Sequence, residues 1–365
     1  MNINNAINEA VSRIKSIESG RKIHAEKLNE LRKLDLFSFN SPDLLEKDFI
    51  KKISPTQLNY RIAGVDSGFL GKRLHAIDIV LVKAVAAIFD YEKSSLQACS
   101  YFPKSFSFPT PFISSNALEN DEFECNKSLL RLKQEISTAI QTIENFKPDY
   151  LFLDGSIVPQ YADKPRKDSK IASNYYDMIS LFQELYSTAE QNNCCLIGAV
   201  EDSRGSRIRA ILQEQILSKQ KILLPEQLEN YFDSSLLSYL LKKNERSIAF
   251  SYSNNVEKHP VLMEFDKKFS KAIHALYLRP SELDRPLRIE FLCSENISAE
   301  ADKVASIALS LSSFHREYAF PIVLIEADLR ARLNLQEVSL MFDKIVDKLG
   351  RETAFLAMRR DSRPF

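Results

Sequence analysis

Glycine is scarce in this chain, at 8 of 365 residues, and no GxxxxGK[ST] segment occurs. The phosphate-binding loop of P-loop ATPases is therefore missing. The five histidines show neither HxH nor HExxH spacing, which argues against zinc hydrolysis, and no GxSxG segment offers a serine nucleophile. Three common classes of enzyme are thus excluded before any motif is considered.

An excess of one charge sign and long apolar runs are missing as well. The chain has 49 basic residues (lysine and arginine) and 49 acidic residues (aspartate and glutamate). The net charge therefore does not indicate a nucleic-acid partner, although it does not exclude a local basic groove. No apolar run reaches the roughly 18 residues needed to span a bilayer, and the polar start carries no secretory signal. The five cysteines are odd in number and lack CxxC spacing, which predicts reduced thiols in a cytoplasmic protein.

Hydrophobic periodicity predicts an α/β fold with a mixed sheet flanked by helices. The strand and helix order from Tyr60 to Val200 is β-β-β-α-β-α-β, which is the order of a ribonuclease-H-like core, with 103–118 as a loop. The predicted parts are a helical N-terminal arm (1–55), the first part of the core (56–200), an insertion (201–285), the core completion with closing helices (286–350) and a C-terminal tail (351–365).

Two apolar stretches finish on an aspartate that small residues follow. They are "YRIAGVDSGF", which contains Asp66, and "YLFLDGS", which contains Asp154. Ligands of open α/β sheets bind beyond the carboxyl ends of strands, so both aspartates are predicted to face each other there. Each alone also suits an ordinary turn, but two such ends in one core favour a shared cation, with oxygens roughly 4–6 Å apart.

Glu135 lies in a predicted helix, 119–146, that leads into the Asp154 strand. Arg131 stands four residues earlier, so one interpretation is a solvated ion pair on the helix surface. In the other, Glu135 reaches over the sheet edge as a third oxygen ligand. The residues leave both interpretations open.

The predicted closing helix, 321–333, carries two acids among apolar residues. Glu326 and Asp328 lie about 200° apart around the axis, so they cannot both face the sheet. We predict that Asp328 does, because Ala327 and Ala331 beside it would allow a close approach. Glu326 would then point towards solvent or a subunit contact.

Asp328 has an alternative role as a structural ion pair, since Arg330 and Arg332 follow it. As a metal ligand, it would instead be oriented by Arg332. Oxygen ligands suit Mn²⁺ or Mg²⁺, and two such ions about 4 Å apart would stabilise both the attacking and the leaving oxygen of a phosphodiester. The predicted catalytic and metal-binding set is Asp66, Glu135, Asp154 and Asp328.

A groove of basic and aromatic groups is predicted to bring DNA to this set, with one ring as a stacking platform. A solvated charge cluster is the alternative. The candidate nucleic-acid-binding residues are Phe69, Lys72, Arg73, Arg204, Arg207 and Arg209.

From about Tyr60 to Arg332 the chain resembles the NurA nucleases, in "IAGVDSGF", in the Arg131/Glu135 helix before "YLFLDGS", and in "YAFPIVLIEADLRARL". The resemblance implies a ribonuclease-H-like fold, manganese or magnesium, a dimer, and degradation of single-stranded DNA from the 5′ end and internally. It also implies a HerA hexameric translocase as partner in DNA end resection. By position, Asp66 matches the first metal aspartate, Glu135 the helical glutamate and Asp154 the second aspartate.

The closing motif departs from the pattern associated with that family, in which a tyrosine-proline pair leads to a histidine. Here Phe320 stands at the tyrosine and Asp328 at the histidine; alignment on Tyr318 would place Glu326 there instead. Glu201 and Asp202 also stand where a basic residue is expected. The favoured hypothesis is a metal-dependent DNA nuclease. The alternatives are a weakly active or inactive adaptor on a translocase ring, and a ribonuclease or other phosphodiesterase.

Overall fold

A computed structural model describes residues 3–33, 45–75, 77–115, 118–214, 228–229 and 231–350. The predicted C-terminal tail, 351–365, lies outside these residues. The strands are β1 Ile50–Lys52, β2 Arg61–Arg73, β3 Asp78–Glu92, β4 Ser95–Phe102, β5 Thr110–Ser114, β6 Tyr150–Asp154, β7 Cys195–Val200, β8 Glu245–Ser247, β9 Phe250–Ser251, β10 Ile273–Arg279 and β11 Leu287–Leu292. The helices are α1 Ile3–Lys33, α2 Asn120–Phe146, α3 Ala172–Gln191, α4 Arg207–Leu212, α5 Asp233–Leu240, α6 Lys267–Ala272, α7 Ile297–Ser312, α8 Ile322–Ala331 and α9 Leu335–Leu349.

The chain forms two compact units, each built from three chain segments. The core unit takes its described residues from 57–199, 255–272 and 321–350, and the second unit from 3–56, 200–254 and 273–320. No helix in the described ranges is long and apolar enough to cross a membrane. All five cysteines are free thiols, as expected from their spacing. The division into five parts proposed from the sequence stays a prediction.

The core unit contains the predicted mixed sheet. Strands β2, β3 and β4 form an antiparallel meander, and β6 and β7 extend it in parallel beside β2, in the order β7-β6-β2-β3-β4. Helices α2 and α3 connect these strands in the β-β-β-α-β-α-β order that the sequence indicates. The ribonuclease-H-like fold class is therefore confirmed.

One strand of this unit lies inside 103–118, which was predicted as a loop. β5 pairs antiparallel with β3 from Asp78 to Val82. The 15-residue β3 is much longer than β4, which pairs it only from Ala86 onwards, so the remaining edge is covered by β5. Pro111 is tolerated because an edge strand can lack one donor. The Pro- and Ser-rich composition concealed this strand.

Strand β2 does not end at Asp66, contrary to the prediction. Its pairing with β3 runs without a break from Arg61 to Arg73, so Asp66 lies in the middle of the strand and no turn follows it. The following glycine has a packing role instead. A Cβ built on Gly68 would lie 2.6 Å from the carbonyl oxygen of Ala331, and one on Gly64 would lie 2.7 Å from that of Val323.

Helix α8 thus lies directly against β2. Ala327 and Ala331 are fully buried, so the predicted close approach of this helix to the sheet is confirmed. Small residues on both partners make that approach sterically feasible: glycines on the strand and alanines on the helix. The helix that carries Asp328 is thereby fixed against the strand that carries Asp66.

The second unit contains antiparallel strands in the order β1-β8-β10-β11, with β9 also paired to β10. β1 lies in the segment predicted as a helical arm (1–55). β10 lies in the segment predicted as an insertion (201–285) and pairs with β11 from Ile273 to Leu278. The six buried residues of β10 show no alternation of polar and apolar positions, so its strand period was not visible in the sequence.

The close contact between α8 and β2 is testable through its glycines. We expect Gly64→Ala to lower the melting temperature and to cost about 1–3 kcal/mol, because the new methyl group meets the backbone of Val323 and cannot be accommodated by a side-chain rotation. Gly20→Ala in α1 is the matched control, since nothing lies within 4 Å of its Cβ position. That change should leave stability unchanged or raise it by roughly 0.5–1 kcal/mol. Equal effects at the two positions would contradict the packing argument.

Candidate active site

Asp66 and Asp154 lie on neighbouring strands at the same level. The parallel register of β2 and β6 pairs Val65 with Leu153, so the next residues along are the two aspartates. Neighbouring strands lie about 4.8 Å apart, and residues in register point to the same face. Asp154 ends β6, and Gly155 follows with φ of 111°, so the turn predicted at this point is confirmed.

Asp328 approaches from the α8 side of the sheet. Gly64 and Gly68 face α8, and alternation along β2 places Asp66 on the same face. Arg332 donates a hydrogen bond from Nη2 to the Asp328 carboxylate at 2.6 Å. This contact is compatible with both interpretations of Asp328. It could orient the carboxylate as a metal ligand, as predicted, and it is also the structural ion pair considered as the alternative.

Glu135 reaches β2 from the opposite face of the sheet. Ser67, which alternation directs to the α2 side, donates its hydroxyl to Glu135. Arg131 Nη1 lies 2.7 Å from the same carboxylate oxygen. The ion pair predicted with Arg131 is present, but Glu135 is only 2% exposed, so it is buried rather than solvated.

Electrostatics link these four carboxyl groups. Burial, together with the negative charges of Asp154, Glu135 and Asp328, raises the pKa of Asp66 to about 8, while the hydrogen bond from the Ser67 N–H at 2.6 Å opposes them. Burial also raises the pKa of Glu135, against the lowering effects of Arg131 and Ser67. Asp66 is therefore a strongly perturbed member of an acidic cluster, and it is 8% exposed.

The cluster fits a hard divalent cation in residue type and charge. Its donors are carboxylate oxygens, and the buried Asp66 carboxyl has three anionic neighbours and no cation among the groups that shift its pKa in the described part of the chain. The ligands are not closed around one point, however. In the described ranges, no three Asp, Glu, His or Cys side chains form a group that could hold a metal ion. Two of the four acids are instead held by Arg131 and Arg332.

Glu326 was expected to point to solvent or to a subunit contact, and its side chain is partly buried by contacts within the core unit, at 22% exposed. It accepts a hydrogen bond from the Tyr101 hydroxyl at 2.7 Å, and it pairs with Arg330 at 2.8 Å. Tyr101 lies on β4, opposite Ala87 of β3, and Ala87 is opposite Gly64. Sequence reasoning missed Tyr101 because nothing in "LQACSYF" separates it from other strand aromatics.

Three of the predicted nucleic-acid-binding residues lie in the core unit, on β2 beyond Asp66. Phe69 is exposed, and the Lys72 ammonium lies 5.1 Å from the ring centroid of Phe342. Arg73 is tied into the fold, because it donates to the carbonyl of Leu118 and to Asn120, and it pairs with Asp78 at 3.3 Å. Phe69 offers an exposed ring and Lys72 a cation, which are the groups that contact with a DNA strand needs. Arg73 instead has structural partners within the fold for its guanidinium nitrogens.

The other three lie in the second unit. Arg204 is exposed, and Arg209 donates to the backbone carbonyls of Glu229 and Tyr231. Burial lowers the pKa of Arg207, whose Nε and Nη1 atoms have no hydrogen-bond partner among the described residues. Their role in nucleic-acid binding stays a prediction.

The residues around the departures from the family pattern have partners in the second unit. The Tyr318 hydroxyl donates to Glu201, and Asp202 pairs with Arg285 at 2.9 Å at the surface. Phe320 is buried. Glu201 and Tyr318 therefore hold each other in place.

The raised pKa of Asp66 predicts a pH dependence of stability in buffer free of divalent ions. The pKa of Asp66 is 3.8 in the unfolded chain and about 8 in the folded one. Between these two pH values, the folded chain therefore binds more protons than the unfolded chain does. The stability contributed by the protonated form is complete below about pH 4 and is lost as the pH rises through about 8, by at most about 1.4 kcal/mol per pH unit. Asp66→Asn should flatten the fall in melting temperature over this window. Glu144→Gln, a change at an exposed acid of α2, should not flatten it. An unaltered pH profile in Asp66→Asn would contradict the raised pKa.

Comparison with known proteins identifies a family. The NurA domain model matches residues 60–333. The NurA nuclease from Sulfolobus solfataricus is similar in fold, with 16% identity, coverage of 96% of this chain and 97% of that one, and a TM-score of 0.61. A NurA bound to dAMP and manganese is 11% identical over 96% and 99% of the two chains, with a TM-score of 0.51. No curated protein sequence matches the chain. Because the domain model takes in most of the sequence and all four carboxylates of the acidic cluster, this chain belongs to the NurA family.

Proposed function

We propose that this chain is a metal-dependent nuclease that hydrolyses phosphodiester bonds of single-stranded DNA, from the 5′ end and internally. The observation that carries the proposal is the acidic cluster: a buried Asp66 on the central strand with Asp154, Asp328 and Glu135 close enough to raise its pKa. Strongly perturbed carboxyl groups of this kind mark functional sites more often than structural ones. Family membership gives the cluster its chemistry, since a NurA of similar fold is bound to dAMP and manganese.

The cofactor proposed is Mn²⁺ or Mg²⁺, as two ions, held by Asp66, Asp154, Asp328 and Glu135. When bound, such ions activate water and stabilise the charge that develops on the phosphate oxygens. The protein's own part is to place the oxygens. Asp66 and Asp154 are fixed by the parallel register, whereas Asp328 and Glu135 are positioned through Arg332 and Arg131.

The adaptor alternative rests on the two arginine pairs. Arg131 and Arg332 already neutralise Glu135 and Asp328, and an ion must compete with them for these ligands. If the arginines hold these carboxylates and no ion displaces them, the chain would keep the fold and the partners of a nuclease without cleaving DNA. Nuclease assays separate the two functions.

We further propose a homodimer that works with a HerA-type hexameric ATPase in DNA end resection and repair in the cytoplasm. The support from this chain is the N-terminal half of α1, where Ile3, Ile7, Ile14 and Ile17 are all more than half exposed. The later part of α1 is anchored within its own unit, through Leu28 in the apolar core and a hydrogen bond from the Tyr239 hydroxyl to Glu18. A helix with one anchored and one free apolar half suits contact with another chain.

Cleavage of labelled single-stranded DNA and RNA with Mn²⁺, Mg²⁺ or EDTA tests the main proposal. We expect cleavage of DNA with a divalent ion and none in EDTA. Asp66→Asn and Asp154→Asn should each lose about 100-fold or more, because each removes a ligand oxygen from the cluster. Glu144→Gln on α2 is the matched control and should cleave like the unaltered chain. A folded chain that cleaves nothing under any of these ions would favour the adaptor, and preference for RNA would make it a ribonuclease.

A second comparison separates the two acids of α8. Asp328→Asn should lose most metal-dependent cleavage, since it removes a carboxylate that acts on Asp66. Glu326→Gln should retain cleavage, because an amide can still accept the hydrogen bond from Tyr101. The reverse result would mean that Glu326 completes the site and that the family alignment runs through Tyr318. If both variants cleave normally, three carboxylates suffice and α8 is structural.

A further inference from the structure

A cavity of about 500 Å³ opens in the core unit at the carboxyl end of α8. Its walls come from β3, from the segment before β5, from the end of α8 and from the start of α9. Five of the lining residues matter here: Lys83, Phe106, Arg330, Arg332 and Glu337. We refer to this cavity as the α8 groove.

The α8 groove lies on the same face of the sheet as Asp66. Lys83 on β3 is paired with Gly68 on β2, and Val85, two residues further along, is paired with Asp66. Residues two apart on one strand share a face and are separated by about 7 Å. Arg332 lines the groove and also holds Asp328, so the groove borders the acidic cluster.

Lys83 is a buried cation whose partner does not satisfy it. Its side chain is 4% exposed, and the Glu337 carboxylate lies 3.7 Å away, which is beyond hydrogen-bond distance. The Glu337 Oε2 atom is buried and has no hydrogen-bond partner among the described residues. A buried ammonium is costly unless hydrogen bonds satisfy it, so this group is ready to bind an anion that enters the groove.

Phe106 places an exposed aromatic surface beside this cation. The ring is 58% exposed, and the Lys83 ammonium lies 5.4 Å from its centroid. An aromatic platform next to a positive charge is the pairing by which proteins hold single strands, with a base on the ring and a phosphate on the cation. Lys83 is thus the cation of the groove whose partner leaves it unsatisfied, since Arg330 and Arg332 are paired with acids of α8.

We propose that the α8 groove binds one nucleotide of a single DNA strand next to the acidic cluster, with Lys83 on the phosphate and Phe106 stacked on the base. The proposal rests on the proposed nuclease function for the identity of the strand. Arg330 and Arg332 line the groove as well, but each is neutralised by an acid of α8. Lys83 and Phe106 are therefore the residues that decide binding.

Fluorescence anisotropy of a labelled oligothymidylate of about 20 nucleotides, with the full chain in EDTA, measures this binding without cleavage. Phe106→Ala should weaken binding about 10-fold or more through lost stacking. Lys83→Met should weaken it and lower the slope of log affinity against log salt by about one phosphate contact. Phe314→Ala and Lys104→Gln are the controls. Both side chains are exposed and neither lines the groove, so both variants should bind normally.

Each result decides one of the two proposals. Unaltered binding in Phe106→Ala, or equal losses in Phe106→Ala and Phe314→Ala, overturns the groove. Because Phe106 is exposed, this holds even if Lys83→Met does not fold. No binding by the unaltered chain also overturns it. Binding of dAMP as tight as that of the oligonucleotide would make the groove a mononucleotide site and refute the strand assignment. If the chain binds through Phe106 and Lys83 but never cleaves, the groove proposal stands and the nuclease proposal falls. If the chain cleaves and both variants bind normally, the nuclease proposal stands and the groove proposal falls.

Discussion

The contact of α8 with β2 is the constraint on which the candidate site depends. Gly64 and Gly68 leave no side chain between the strand and the carbonyl oxygens of Val323 and Ala331, so the helix lies against the strand itself. Two consequences follow from that distance. Asp328 comes within electrostatic reach of Asp66, and the end of the helix forms a wall of the α8 groove. A bulkier residue at either glycine would move both features together.

Charge balance is the second constraint, because the acidic cluster contains more negative groups than its surroundings neutralise. A proton on Asp66, the guanidinium groups of Arg131 and Arg332, and a divalent ion are three ways to supply positive charge. They compete for the same oxygens. The four side chains therefore need not be arranged as ligands in the absence of an ion, and ion binding would release a proton from Asp66 and loosen the arginine pairs.

The sequence was most informative where local pattern and tertiary role agree. The strand-helix order, the turn after Asp154 and the Arg131–Glu135 pair were all predictable, since each depends on residues close in sequence. The end of β2 was not, because "DSG" has the composition of a turn while Gly68 is required by a helix more than 250 residues later. β5 and β10 were missed for a related reason. Each is a strand because it pairs with another strand, and its own composition does not indicate one. The α8 groove and the Tyr101–Glu326 bond depend wholly on which faces the sheet brings together.

The acid at position 328 explains the arginine that follows it one helical turn later. The Asp328 carboxylate adds a negative charge beside Asp66, and it is among the charges that raise the pKa of Asp66. Arg332, bound to Asp328 at 2.6 Å, supplies the compensating positive charge on the same helix. Because Arg332 also lines the α8 groove, the Asp328–Arg332 pair forms part of the wall between the acidic cluster and the groove. Asp328 and Arg332 are thus best understood as one coupled feature of this site.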